Sequence, residues 1–436
     1  MPEKNRKHTV GYADTHYTRT LQAGFPTKRL EGTVCADVCI VGGGIAGISA
    51  AWEMTERGLS VVVLEARRVA WGASGRNGGI LSSGFAASSQ LIKRKAGLQH
   101  AQELHALSQE GVGIVLKNID ALNLAGVDPV QGVIAASRHV DVDVSKAWEE
   151  EARRDATRNL VYMPPDKMRA LVNSKRFHDG LLDNGGYHIH PLNYCVGLAA
   201  ELARCGGQVY ENSALISMDL SGSEKCVRTG KGSVKAKYVV LCGSGYSGAE
   251  FGRLHHAIVP IATYVVATRG LKGRADEIMK TRAAVSDTRL SCDYFRITPE
   301  GELLWGGGMS ALRKEPGNLQ ALMKARIVDV FPQLADIDIA TSWTGVMGYA
   351  RHKMPYLLEI QPNVWSATAF GGHGLNTGPA VARVLAEAMT ENGRRHELFR
   401  PFSLHWNGSV FGQIAAEGIC SASNLGHRFR ERWQKG

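Results

Sequence analysis

The sequence predicts an α/β protein in which a doubly wound, dinucleotide-binding sheet is interleaved with an α+β domain carrying a mixed or antiparallel sheet. Two observations predict it. Residues 37–66, DVCIVGGGIAGISAAWEMTERGLSVVVLEA, read as a strand, a glycine turn, a helix and a second strand ending on an acid. Strand-like and helix-like runs then leave this unit, return to it, leave again and come back at residue 364.

The first unit carries the most information. Gly42, Gly44 and Gly47 have the GxGxxG spacing, in which the first glycine makes the tight turn, the second admits a pyrophosphate and the third packs helix on strand. Glu65 falls where a ribose hydroxyl is held, and Ile45, Ala46, Ala66 and Arg67 share that candidate surface. Glycine triplets also occur in ordinary turns. Here both flanking strands, Ala51 in the helix, the stop at Gly58 and the acid about 20 residues on agree with a nucleotide site.

NAD and FAD share this grip, while Glu65 disfavours the 2′-phosphate of NADP. Two further glycine-rich segments suggest a longer ligand. They are GASGRNGG at 72–79 and GGHGLNTGP at 371–379. The second runs into a helical pattern, with Pro379 at a first-turn position and Asn392-Gly393 as the stop. A helix start offers free N–H groups and a positive dipole end, a sensible support for a reduced flavin's negative pyrimidine ring.

With 436 residues, 44% of them hydrophobic, the chain supports two intertwined domains or a large single one. No run reaches the roughly 20 apolar residues of a membrane helix, and the polar N-terminus lacks the apolar stretch of a signal peptide, so a cytoplasmic location is expected. Eight scattered cysteines without CxxC suggest buried thiols rather than disulfides or a metal site. The net charge of +10 is spread out, and the basic stretches at 93–95 and 427–435 lack the interleaved aromatics of a nucleic-acid groove.

Residues 1–33 read as a surface arm anchored by Tyr12, Tyr17 and Phe25. The nucleotide domain is expected from 34–92, 186–258 and 364–395, the second domain from 93–185 and 259–363, and a tail over 396–436. Helices are expected at 97–125 and 191–205 and a strand at 132–138; the strand over 234–245 ends in a turn at Gly243 and Gly245. Residues 259–268, 292–298 and 303–307 read as antiparallel strands of a separate sheet.

The runs EARRVAWGASGRNGG, YHIHPLNYCVGLAAELARCGGQVYENS, DYFRITPEGELLWGGG and FGGHGLNTGPA resemble the gamma-glutamylputrescine oxidoreductase group within the FAD-dependent D-amino-acid oxidase superfamily, and the resemblance spans nearly the whole chain. It implies a glutathione-reductase-type, Rossmann-like FAD domain with a mixed-sheet substrate domain, and oxidation of a C–N bond to an imine that water hydrolyses. It further implies that Gly42, Gly44 and Gly47 hold the FAD pyrophosphate and Glu65 the adenosine ribose. Ser74, Arg76, Asn77, Gly78 and Gly79 line the ribityl chain and flavin edge, with Gly72, Ala73 and Ile80 beside them as further cofactor-binding positions; Leu215 meets the adenine, and Gly372, His373, Gly374, Leu375, Asn376 and Thr377 lie at the pyrimidine end. The stretch GVMGYARHK has no cysteine where sarcosine oxidases tether the flavin, so dissociable FAD is expected. No oxygen-activating lysine is obvious.

His373 is expected against the cofactor, Tyr294 and Arg296 in the substrate pocket with Arg296 pairing a carboxylate, and Arg351 on the approach to the flavin. His188 and His190 read as packing residues; Trp305, Trp343 and Tyr349 read as core or pocket walls. The leading function is an amine oxidase that reduces O₂ to H₂O₂. The alternatives are an amine dehydrogenase using a quinone or carrier protein and, from another class, a flavin-dependent tRNA-modifying module.

Overall fold

The computed structural model describes residues 11–22, 24–26, 28–138, 141–154 and 159–433, with the side chains of 154 and 423–433 outside the description. The basic stretch at 427–435 therefore lies outside the described side chains. Among the described residues the strands form two sheets, one of eight and one of nine.

The first sheet is built on a parallel core in which Gly32–Val41 lies between Val61–Leu64 and Gly232–Leu241, with Gln208–Tyr210 and Val364–Thr368 outside them. Its strands read as unbroken apolar runs because both faces are covered. Val38, Ile40, Val61 and Val63 point into one core, with the helices Ile45–Thr55, Pro191–Arg204 and Gly374–Thr390. Cys39, Val41, Val62 and Leu64 point into the opposite core, with Phe251, Leu254 and Tyr356.

In the second sheet the eleven-residue strand Ile258–Thr268 pairs antiparallel with both Leu303–Ser310 and Ile339–Ala350. Its core stacks Phe295 on Trp305 at 4.6 Å, with Phe331 set edge-on. The sheet is mixed, since Ala284–Asp287 runs parallel to Val130–Ala136. Strand Ile80–Leu81 joins this sheet through His188 and Tyr187. The glycine-rich segment before it therefore hangs between the two sheets.

Three features differ from the sequence reading. Strand Tyr356–Gln361 precedes the expected return at 364 yet pairs antiparallel with Val364–Thr368 in the first sheet, because the two-residue link, Pro362 and Asn363, folds it back as a hairpin. The helix expected from Pro379 begins at Gly374, so Pro379 lies inside it. That earlier start is held by the Thr377 N–H and hydroxyl, both bonded to His373 O, and by Asn376 Nδ2 bonded to Gly84 O, which offset the single helical bond a proline removes. Part of the C-terminal stretch read as a tail is the helix Ser409–Trp433.

Helix Gly374–Thr390 sits against Leu98–Ala121 at close range. A Cβ on Gly111 would stand 2.0 Å from Asn376 O, so glycine is required there. Around this contact Glu53 bridges Arg57 and Arg383, and Arg395 bridges Glu110 and Glu387.

Candidate active site and cofactor cleft

A cleft of about 780 Å³ opens where the parallel strands of the first sheet end and meet the second sheet. Ligands of doubly wound folds bind at this edge, beyond the carboxyl ends of the strands. The first glycine turn supplies Gly42, Gly44, Ile45 and Ala46 to its lining, the end of the second strand Glu65, Ala66 and Arg67, and the following loop Gly72, Ala73, Ser74, Arg76, Asn77, Gly78 and Ile80. Leu215 and Gly243 line it, as do Gly372, His373, Gly374, Leu375 and Asn376 and, from the second sheet, Tyr294.

The remaining expected residues stand behind the wall or away from it. Gly42 has φ +113°, and a Cβ on Gly47 would come within 1.9 Å of Gly42 O, so the third glycine presses helix on turn without touching the cleft. Gly79, Gly245 and Thr377 are likewise behind the surface; Gly245 packs on the backbone of Met347. Arg351 is exposed in the turn after Ile339–Ala350 and does not line the cleft, because that strand ends beyond it. Arg296 is also not where a substrate carboxylate could reach it. Its side chain is 3% exposed and lies on the same face of strand Tyr294–Ile297 as Tyr294, but it runs behind the Gly78–Gly79 segment, donating to Gly78 O at 2.9 Å and to Ile189 O at 3.3 Å.

Glu65 lines the cleft with its carboxylate held by backbone. Its Oε2 accepts the Gly43 N–H and its Oε1 the Arg67 N–H, each at 2.8 Å, while burial raises its pKa. Ser74 Oγ accepts the Ile45 N–H at 2.9 Å and so joins the first turn to the second glycine-rich loop. Arg76 lies 4.2 Å over the Trp71 ring and donates to Trp71 O and Thr344 O.

At the other end the N–H groups of Gly374, Leu375 and Asn376 open a helix and are free of intrahelical partners. His373 precedes them, partly exposed to the cleft, and desolvation lowers its pKa to about 4. Its imidazole is neutral at pH 7. Thr263, Ser286, Leu290, Cys292, Met309, Met347 and Tyr349 complete this end, with Tyr294, whose ring lies across Gly78 and Gly306. Burial raises the pKa of both tyrosines, so the phenols keep their protons.

The sequence reading missed one charged cluster under this wall. Asp287 lines the cleft but is taken up by Arg138 at 2.9 Å and Arg289 at 2.6 Å; Asp293 behind it meets Arg138, Arg289 and Arg326, each at 2.6 Å. No local motif announces it, since Arg138 and Arg326 reach it from distant elements. Trp343 and Trp305 do not reach the lining. Trp343 Nε1 donates to Arg76 O, and Trp305 is core. His190 caps Pro191–Arg204 by accepting the Asn193 N–H, and His188 contacts Arg282 O. Among the described residues no group of three or more potential ligands could hold a metal ion, and no helix is long and apolar enough to cross a membrane.

A glycine-cushioned cleft with an acid at one end and a helix start at the other, at the carboxyl edge of a doubly wound sheet, is that of a dinucleotide-binding protein. The chain matches the FAD dependent oxidoreductase (DAO) family over residues 37–388, and it belongs to that family. It is 31% identical over 395 residues to a gamma-glutamylputrescine oxidoreductase of Escherichia coli, covering 90% of this chain and 92% of that one, and 30% identical to a probable oxidoreductase of Haemophilus influenzae, covering 86% and 87%. Among solved structures, glycine oxidase from Geobacillus kaustophilus has TM-score 0.70 at 18% identity, covering 85% of this chain and 98% of that chain. An L-amino acid deaminase from Proteus myxofaciens has TM-score 0.69 at 18% identity, covering 86% and 94%.

The protein is therefore an FAD-dependent enzyme, and the residues present suit that cofactor. The cleft joins a glycine turn that side chains would block, a partly exposed carboxylate oriented by two backbone N–H groups and the open N-terminal N–H groups of a helix at the far end.

Proposed function

We propose that the enzyme oxidises the C–N bond of a small amine or N-substituted amino acid, with non-covalent FAD held along the cleft by the glycine segments and Glu65. The observation that carries this reading is the uncharged wall facing His373. Thr263, Ser286, Cys292, Tyr294, Met309 and Tyr349 carry no charge, and the Asp287 carboxylate is neutralised by two guanidiniums. Such a wall favours the unprotonated amine, since desolvation lowers an ammonium pKa.

FAD, when bound, takes up the hydride equivalent that leaves the α-carbon as the nitrogen lone pair forms the imine. The phenols of Tyr294 and Tyr349, both protonated, orient the amine by hydrogen bonds. His373, neutral, is too weak a base to deprotonate an ammonium at pH 7, so the amine arrives from water already neutral. Water hydrolyses the imine to a carbonyl compound, releasing ammonia from a primary amine or an amine from an N-substituted substrate. The E. coli relative makes gamma-glutamylputrescine the first compound to try.

An anaerobic screen of amines against the oxidised holoenzyme tests the reading: bleaching near 450 nm by one member of the panel supports it, and no bleaching by any member overturns it. We assign O₂ as the electron acceptor, with H₂O₂ as product. Admitting air then checks this, because reoxidation within seconds supports an oxidase and a long-lived reduced form points to a quinone or carrier protein.

A further inference from the structure

Four successive carbonyls of the segment between the sheets are tied back from behind the cleft wall. Trp343 Nε1 donates to Arg76 O at 2.8 Å, the Tyr17 hydroxyl to Asn77 O at 2.7 Å, Arg296 Nε to Gly78 O at 2.9 Å and the Ile189 N–H to Gly79 O at 2.8 Å. The C=O and N–H of a trans peptide point in opposite directions. Holding the Arg76 and Asn77 carbonyls to the rear therefore turns the N–H groups of Asn77 and Gly78 toward the cleft that both residues line.

Two of the four donors are not ordinary packing residues. Tyr17 is fully buried and belongs to the N-terminal arm, outside the matched residues 37–388. Arg296 is a buried guanidinium whose hydrogen-bond partners among the described residues are uncharged: Gly78 O, Ile189 O, the Tyr17 hydroxyl at 3.3 Å and His188 Nδ1 at 3.4 Å. Asp128 and Glu300 line the small cavity on its far side without pairing with it, and a buried cation is stabilised by further negative charge nearby. The peptide it grips faces the cleft, where a reduced flavin would bring such charge.

We propose that Arg296 and Tyr17 are positioning residues for the cofactor: together they hold the Asn77–Gly78 backbone as a donor plate, and the Arg296 charge favours the anionic reduced flavin. The proposal rests on the assignment of this cleft to FAD.

The test uses apoprotein and holoenzyme of Tyr17→Phe, Arg296→Lys and Arg296→Met, reading the FAD dissociation constant by fluorescence titration and the flavin midpoint potential by dye equilibration. Tyr17→Phe is expected to raise the dissociation constant about tenfold, with little change in potential. Arg296→Met is expected to weaken binding further and lower the potential. Arg296→Lys keeps the charge but not the fork, so it restores the potential and leaves affinity impaired. Unchanged affinity in Tyr17→Phe overturns the clamp even if Arg296→Met does not fold; an Arg296→Met potential equal to wild type overturns the electrostatic role. Failure of wild-type apoprotein to bind FAD overturns the cleft assignment instead.

Discussion

Gly111 and Gly113 stand two residues apart in helix Leu98–Ala121 and should respond in opposite ways to the same substitution. A Cβ at 113 meets nothing within 4 Å and that position is exposed, so Gly113→Ala gains only helix propensity, about 0.5–1 kcal/mol of stabilisation. A Cβ at 111 would lie 2.0 Å from Asn376 O and 2.8 Å from Asn376 C, both backbone atoms that cannot swing aside. Ordinary contact begins near 3.4 Å, so helix Gly374–Thr390 must retreat by about 1.4 Å. Asn376 is pinned by its bonds to Gly84 O and Ser108 O, so the retreat strains both helices. Overpacking of this kind costs about 1–3 kcal/mol, while the propensity gain is the same at both sites. Because the displaced turn carries His373 to Asn376, the loss should also appear as weaker FAD binding. Urea unfolding and FAD titration of both variants check this. A Gly111→Ala protein as stable as Gly113→Ala, with wild-type FAD affinity, would refute the packing argument.

Asp287→Asn should destabilise the fold by about 1–3 kcal/mol in urea unfolding, since Arg138 and Arg289 would lose one of the two buried carboxylates they share and keep Asp293; an unchanged unfolding free energy would count against the cluster. Stability should fall on acidification from pH 7.5 to 5.5. His188, His190 and His373 all have folded pKa values below the ordinary 6.5, two of them at about 3 and 4, so the unfolded chain binds more protons in this window. Each contributes up to about 1.4 kcal/mol per pH unit, and unfolding free energies that are flat with pH would contradict their burial. The rate of anaerobic flavin reduction should climb with pH toward the substrate amine's own pKa, with no inflection near 6.5, because His373 is already neutral; a histidine-like inflection that disappears in His373→Asn would reverse this.

Local patterning made the nucleotide half legible. The first glycine turn, Glu65 and the helix that follows sit within thirty residues, where spacing alone fixes geometry, and all but Gly47 of the glycines expected there line the cleft. Arg296 was legible as a strand residue on the same face as Tyr294, two positions on, but alternation does not say what else comes to lie on that face. The Gly78–Gly79 segment, more than 200 residues away in sequence, comes between Arg296 and the cleft and leaves Tyr294 to line it. The start of the helix at Gly374 was hidden because Pro379 is a strong local signal, overridden by bonds from Thr377 and Asn376 to distant backbone. Tyr17 read as an anchor for the arm; that it anchors on Asn77 O could be seen only once residues 60 positions apart were brought together.

The first sheet draws its strands from three separated stretches, 32–64, 208–241 and 356–368, with the second sheet threaded through the gaps. During synthesis the central strands cannot gain their last parallel neighbour, Val364–Thr368, until more than four-fifths of the chain has left the ribosome. Until then the end of Gly232–Leu241, Val239 to Leu241, beyond the part that Lys225–Thr229 covers, presents an open, apolar edge, a template for mispairing. Yield in a foreign host should therefore respond more to chaperone supply and slowed translation than to any surface substitution.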